Sequence, residues 1–271
     1  MSALPESASE RLEVLRADTA RERAGLARIA ALAAAVLAAF YFTGLFDLER
    51  LAEGLPALAK ITGEMLPPDF SRWRAWLRPL VDTLAMSVAG TAIAVALSLP
   101  LAVLAASNTS PSMALYRGAR FTLNLLRAIP ELILGIIFVA AVGFGALPGA
   151  LAVGLHSAGM VGKFFAEAIE HADPKPIEAA RAAGAGELQI LVRAVLPQVL
   201  PQMADTAIYR WEYNFRASTV LGAVGAGGIG TELMGSLRLM DYPQVLAILV
   251  CILACVTVVD ALGGALRRRL A

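Results

Sequence analysis

Four stretches without a charged side chain restrict what this sequence can fold into. Ile29–Phe46 and Tyr242–Val259 each run 18 residues, Leu132–Gly162 runs 31 and Thr83–Tyr116 runs 34. A bilayer span needs about 20 mostly apolar residues, so the 31-residue stretch is long enough to be shared by two helices. Gly143–Gly149, reading GFGALPG, is the natural turn inside it. One span then covers 122–142 and the next 149–168. A further segment, 202–222, is apolar apart from a cluster of charges. The pattern predicts six membrane helices in an all-α chain. Composition agrees: 58% of residues are hydrophobic, 17% are charged and mean hydropathy is +0.67, more apolar than a soluble domain. A net charge of +1 supplies no field for nucleic acid, and no nucleic-acid partner is expected.

The first apolar run is preceded by 28 residues carrying both charge signs, which excludes a cleavable signal peptide. Residues 1–28 read as a solvated, cytoplasmic helix and 29–46 as the first membrane helix. Residues 47–78 read as a helical segment lying on the outer surface, partial insertion being the alternative, with Pro56 inside it and Trp73 and Trp76 at the membrane–water boundary. Residues 79–264 hold five membrane helices and the loop 169–200, and 265–271 form a basic tail. Basic residues set the orientation. There are five in 1–28, two in 107–121, four in 163–200 and three at Arg267–Arg269, against five in 47–78 and one in 223–242. The bias puts both termini on the cytoplasmic side.

The longest inner loop contains IEAARAAGAGELQILVRAVLP, which reads as two short helices around a glycine hinge, the second closed by Pro197 and Pro201. Its Glu178-Ala179-Ala180, Gly184 and Leu196-Pro197 stand at the spacing of the motif that marks permease subunits of ABC importers, with Ala194 where that family carries isoleucine. The chain resembles the type I, binding-protein-dependent permeases from about Leu80 onward. The likeness sharpens to phosphonate importer permeases in three places: Pro67–Trp73, Arg127–Gly145 and Tyr209–Gly230. This resemblance implies that Glu178, Ala179, Ala180, Gly184, Leu196 and Pro197 couple the chain to a cytoplasmic ATPase dimer. Two alanines and a glycine let a helix approach a partner closely, and Glu178 offers a polar anchor.

Tyr209–Gly230 ends in Gly225-Ala226-Gly227-Gly228-Ile229-Gly230, which also fits the dinucleotide-binding pattern. That loop must follow a strand and open a helix, whereas this one follows an apolar helix, and the chain has no phosphate-binding loop for ATP. Gly225, Gly227, Gly228 and Gly230 are expected to form tight turns and close approaches at the outer gate.

The same stretch opens with Arg210, Glu212, Asn214 and Arg216 inside a predicted span. A central charge costs about 2.5–3.5 kcal/mol on insertion scales, so these side chains must face a partner or water. Glu212 and Arg216 stand i, i+4 and can pair, leaving Arg210 without a partner in its own helix. Arg127 and Glu131 repeat the spacing around Pro130. Internal ion pairing and a role in the translocation path are both open for these two. In the charged helix, Arg210 and Arg216 are expected to line the path, because arginine forks match phosphoryl oxygens.

Other candidates carry less. His156 reads as a buried, satisfied imidazole, His171 as solvated, and Asp82 and Asp260 as groups at span ends. Cys251 and Cys255 are small buried residues of one helix, and no catalytic triad, paired-carboxylate site or metal cluster is present in the pattern. The family likeness implies a pore subunit rather than an enzyme, carrying phosphonate or phosphite across the inner membrane. ATP and magnesium would be used by the ATPase, a periplasmic binding protein would deliver substrate, and a second copy of the chain would complete the pore. The same machine for methionine or betaine is the alternative.

Overall fold

The computed structural model describes residues 8–270, which form helices and turns with no strand. They fall into two compact units that meet between Gly63 and Glu64. In the first, α1 (Ala8–Phe42) is a single helix with no break where the charged segment gives way to the apolar one. No proline interrupts it, and its window Gly25–Phe42 is long and apolar enough to cross a membrane. Gly44, at φ +73°, turns the chain into α2 (Leu48–Glu64). Leu48, Leu51, Leu55 and Leu58 recur every three or four residues and form one exposed apolar stripe.

The second unit comprises α3 (Trp73–Ala105), α4 (Met113–Ala128), α5 (Glu131–Val142), α6 (Ala146–Glu170), α7 (Pro174–Ala182), α8 (Glu187–Ile190), α9 (Leu196–Leu221), α10 (Ile229–Arg238) and α11 (Tyr242–Leu270). Among the described residues, α1, α3 and α11 are long and apolar enough to cross a membrane, or up to five spans if each of two bent helix pairs counts as one. α6 is not among them, and its surroundings explain why. It packs against α3, α4, α5 and α9, so its glycines, alanines and serines meet protein instead of lipid. A Cβ on Gly159 would stand 2.7 Å from the Leu123 carbonyl oxygen, and Ser98 donates to the Ala158 carbonyl at 2.9 Å. Small residues and a cross-helix hydrogen bond are how membrane helices pack without a hydrophobic drive.

Two breaks shape the unit. The expected span 122–142 is bent by 85° between α4 and α5. Pro130 cannot donate to a helical carbonyl and drives Ile129 to an extended conformation, φ −85° and ψ 119°. The second break, of 45°, follows α9, where a 3₁₀ turn and the glycine run lead into α10. Trp73 lies half exposed. Trp76 is 1% exposed and packs with Ile229, Ala247 and Ile248, a core position the sequence did not suggest.

Candidate functional site

The loop 169–200 is an ordered structure tied at both ends. Asp173 caps α7, its carboxylate accepting from the Lys175 amide at 3.0 Å. Gln198, at the start of α9, accepts from the Asp173 amide at 2.9 Å and donates to the Ala194 carbonyl at 2.6 Å. Gly184 terminates α7 in the left-handed region at φ +81°, with the Ala185 amide bonded to the Ala180 carbonyl at 3.1 Å. Among the described residues, apart from its chain neighbours, nothing lies within 4 Å of where a Gly184 Cβ would stand, so its requirement within this subunit is conformational alone. Glu178, Ala179 and Gly184 are exposed and Ala180 is half-buried.

Leu196 and Pro197 do not close a second short helix; they begin α9, after a π-helical turn at Leu191–Val195. Proline is tolerated in a first turn, and Pro201 is carried inside the long helix. Beside the loop, Arg120 grips both oxygens of Glu170 at 2.8 and 2.9 Å, and the Ser107 amide donates to the same carboxylate at 2.8 Å. Burial would raise the Glu170 pKa, but the Ser107 amide and the Arg120 guanidinium together hold it below the usual carboxylate value. A groove of about 560 Å³ opens between this corner and helices α7 and α8, with Glu170, Glu178 and Arg181 among its walls.

In α9 the expected Glu212–Arg216 pair is not made. Glu212 is 6% exposed and meets Arg267 of α11, with Nη2 2.8 Å from Oε1 and Nη1 donating to Oε2 at 3.3 Å. Arg216 is half exposed and pairs with Asp260, also of α11, at 3.2 Å. Gly263 makes the first contact possible, because any Cβ there would collide with the Glu212 carboxylate. Both charges therefore clamp α9 to α11.

Arg210 points elsewhere. It is 7% exposed, its Nε donates to Ser157 Oγ of α6 at 2.9 Å, and its guanidinium stacks over the Tyr213 ring at 4.1 Å from the centroid. Ser157 donates to Asn214 at 2.7 Å, and Asn214 donates to Thr91 of α3 at 2.9 Å, so four polar groups bridge three helices. Tyr213 donates to Glu131 Oε1 at 3.3 Å, which brings the first residue of α5 to the same place. The Arg127–Glu131 pair is absent because the Pro130 break takes the two out of one helix. Arg127 is exposed and bonds to Asn124 at 3.2 Å. His156 bonds through Nδ1 to the Ile129 carbonyl at 2.9 Å, at the broken backbone, and its Nε2 lies 3.8 Å from Glu131 Oε2. A carbonyl only accepts, so Nδ1 carries the proton. Sequence reasoning missed Ser157, Thr91, Tyr213 and the link from Glu131 to His156.

The glycine run is a left-handed turn, with φ of +88°, +79° and +76° at Gly225, Gly227 and Gly228. Thr83 Oγ1 accepts from the Ile229 amide at 2.9 Å and so caps α10. Gly230 is needed for another reason: a Cβ there would strike the Thr219 carbonyl of α9.

A broken-helix membrane bundle with an exposed, tethered helix pair before α9 is the architecture of a transport permease. The chain belongs to the family of binding-protein-dependent transport system inner membrane components, whose pattern matches residues 98–271. It is a multi-pass inner-membrane protein. It is similar to the phosphite transport system permease protein PtxC of Stutzerimonas stutzeri, 65% identical over 243 residues, 90% of this chain and 88% of that one. The phosphate-import permease protein PhnE of Mycolicibacterium smegmatis is 43% identical over 218 residues, 80% of this chain and 41% of PhnE. Among solved structures, the MetNI methionine ABC transporter matches with a TM-score of 0.67 at 24% identity, covering 75% of this chain and 99% of that one. That likeness is one of fold, the type I ABC importer permease fold.

Proposed function

We propose that this chain is the permease subunit of an ATP-driven importer and forms the path by which a phosphorus oxyanion, phosphite or a phosphonate, enters the cell. The observation that carries this reading is the 65% identity to a phosphite transport permease along nine-tenths of the chain. Both termini lie in the cytoplasm, as the distribution of basic residues requires. A cytoplasmic ATPase dimer docks on α7 through Glu178, Ala179, Ala180 and Gly184, with Leu196 and Pro197 fixing the start of α9. It alone binds ATP and magnesium, and this chain performs no hydrolysis. A periplasmic binding protein releases the anion near the glycine turn Gly225–Gly230, the outer gate, and a second copy of the chain supplies the other half of the path. ATP-driven closure of the ATPases pushes α7, and the tether from Asp173 to Gln198 passes that motion to α9, which carries Arg210. There a guanidinium in a low-dielectric interior favours an anion strongly and transiently.

Growth on phosphite or methylphosphonate as sole phosphorus source tests the proposal. A deletion strain fails on these and grows on phosphate. The wild-type chain restores growth, and Gly184→Asp does not, because a side chain there meets the ATPase at a left-handed position. Growth of the deletion strain on both substrates, with any second importer removed, would overturn the anion assignment.

A further inference from the structure

Arg210 and Glu131 each keep one buried polar atom that no group in the described residues satisfies by hydrogen bonding, Nη2 of the first and Oε2 of the second. They are opposite in kind, one a donor and the other a charged acceptor. Tyr213 spans between them, with its ring under the guanidinium and its hydroxyl on the other oxygen of Glu131. Accessibility rises from Arg210 at 7% to the half-buried Tyr213 and to Glu131, whose side chain is 23% exposed. The remaining ionisable groups around Glu131 are His156 on α6 at 3.8 Å and, across the Pro130 break, Arg127, which is turned to Asn124. A site for a fully ionised anion would hold donors only. A carboxylate facing the anion repels every ligand oxygen except one that carries a hydrogen.

We propose that Arg210 and Glu131 together recognise a protonated phosphorus oxyanion, Arg210 Nη2 donating to an ionised oxygen while Glu131 Oε2 accepts from the P–OH of the same monoanion. This rests on the permease reading and adds the chemical form of the cargo. The guanidinium alone would take any small anion. The carboxylate adds a requirement for a hydroxyl, which excludes anions that have none. Tyr213 links the two groups, its ring under the guanidinium and its hydroxyl on Glu131 Oε1, and Ser157 fixes the guanidinium through Nε, leaving Nη2 for the anion.

Two isomers separate this from simple anion attraction. Methylphosphonate at mildly acidic pH is a monoanion with a P–OH. Monomethyl phosphite has the same formula and the same charge but no O–H. Each is made to compete with radiolabelled phosphite for the complete complex of permease and ATPase in nanodiscs, without binding protein. Wild type is expected to prefer methylphosphonate by at least about tenfold, the worth of a hydrogen bond to a charged group. Glu131→Gln offers an amide N–H to the ester and should reduce that preference severalfold, while Glu131→Asp, which keeps the carboxylate, should retain it. Correct assembly of each variant is checked by gel filtration with the ATPase. An equal preference in wild type and Glu131→Gln would overturn the proposal, as would absence of phosphite binding to wild type. Neither result touches the permease reading, which stands or falls on uptake and growth.

Discussion

Glu212 and Arg216 sit within two turns of Arg210 on α9, yet the two groups meet opposite surroundings. The first two find full opposite charges on α11, at 2.8 Å for Arg267 and 3.2 Å for Asp260. Arg210 finds a hydroxyl and an aromatic face, reaches Glu131 only through Tyr213, and keeps a nitrogen unpaired. Glu212 Oε1 also lacks a well-directed hydrogen bond, yet it stands 2.8 Å from the Arg267 guanidinium; the unsatisfied Arg210 nitrogen, a donor that costs about 1–3 kcal/mol when buried, has no such ion pair among the described residues. On that contrast we propose that the clamp to α11 holds helices together and that the cluster with α5 and α6 handles the anion.

Substitutions should divide along that line. The largest effect is expected at Arg210: Arg210→Gln should lower phosphite uptake in proteoliposomes by about a hundredfold or more, with assembly unchanged. Arg210→Lys should restore only part, because an ammonium cannot bond Ser157 and a ligand through one planar fork. Next comes Glu212→Gln, which leaves Arg267 without its buried partner. A fully buried pair broken in this way costs about 3–5 kcal/mol, and the partial exposure of Arg267 reduces this to about 2 kcal/mol. The effect should appear as a lower melting temperature of the solubilised complex, with uptake per folded complex near wild type. Gly263→Ala should act through the same contact, costing about 1–3 kcal/mol by overpacking. The double exchange Glu212→Arg with Arg267→Glu should recover part of the lost stability, a coupling that independent sites would not show. Smallest is Arg216→Gln, which breaks a pair with both side chains nearly half exposed and should cost below about 1 kcal/mol.

Much of this was legible in the sequence. The charge-free runs gave α1, α3 and α11, the spacing of Glu178, Gly184 and Pro197 pointed to the permease family, and Arg210 stood out as the charge without a partner in its own helix. Pairing failed where reasoning stayed within one helix. The i, i+4 rule links Glu212 to Arg216, but their actual partners lie 55 and 44 residues away on α11, where packing overrides local spacing. Pro130 was visible and its consequence, the break that turns Glu131 away from Arg127, followed only from the backbone. α10 falls inside the segment 223–242, which carries no helix signal strong enough to mark it, and its cap, Thr83, comes from a distant helix.

The comparison of the two arginines is tested most directly by phosphite uptake per assembled complex in Arg210→Gln and Arg216→Gln, measured side by side in proteoliposomes with the ATPase and loaded binding protein. Uptake should be abolished in the first and stay within about twofold of wild type in the second, as expected for a surface pair. Equal losses, or a larger loss at Arg216, would contradict that comparison.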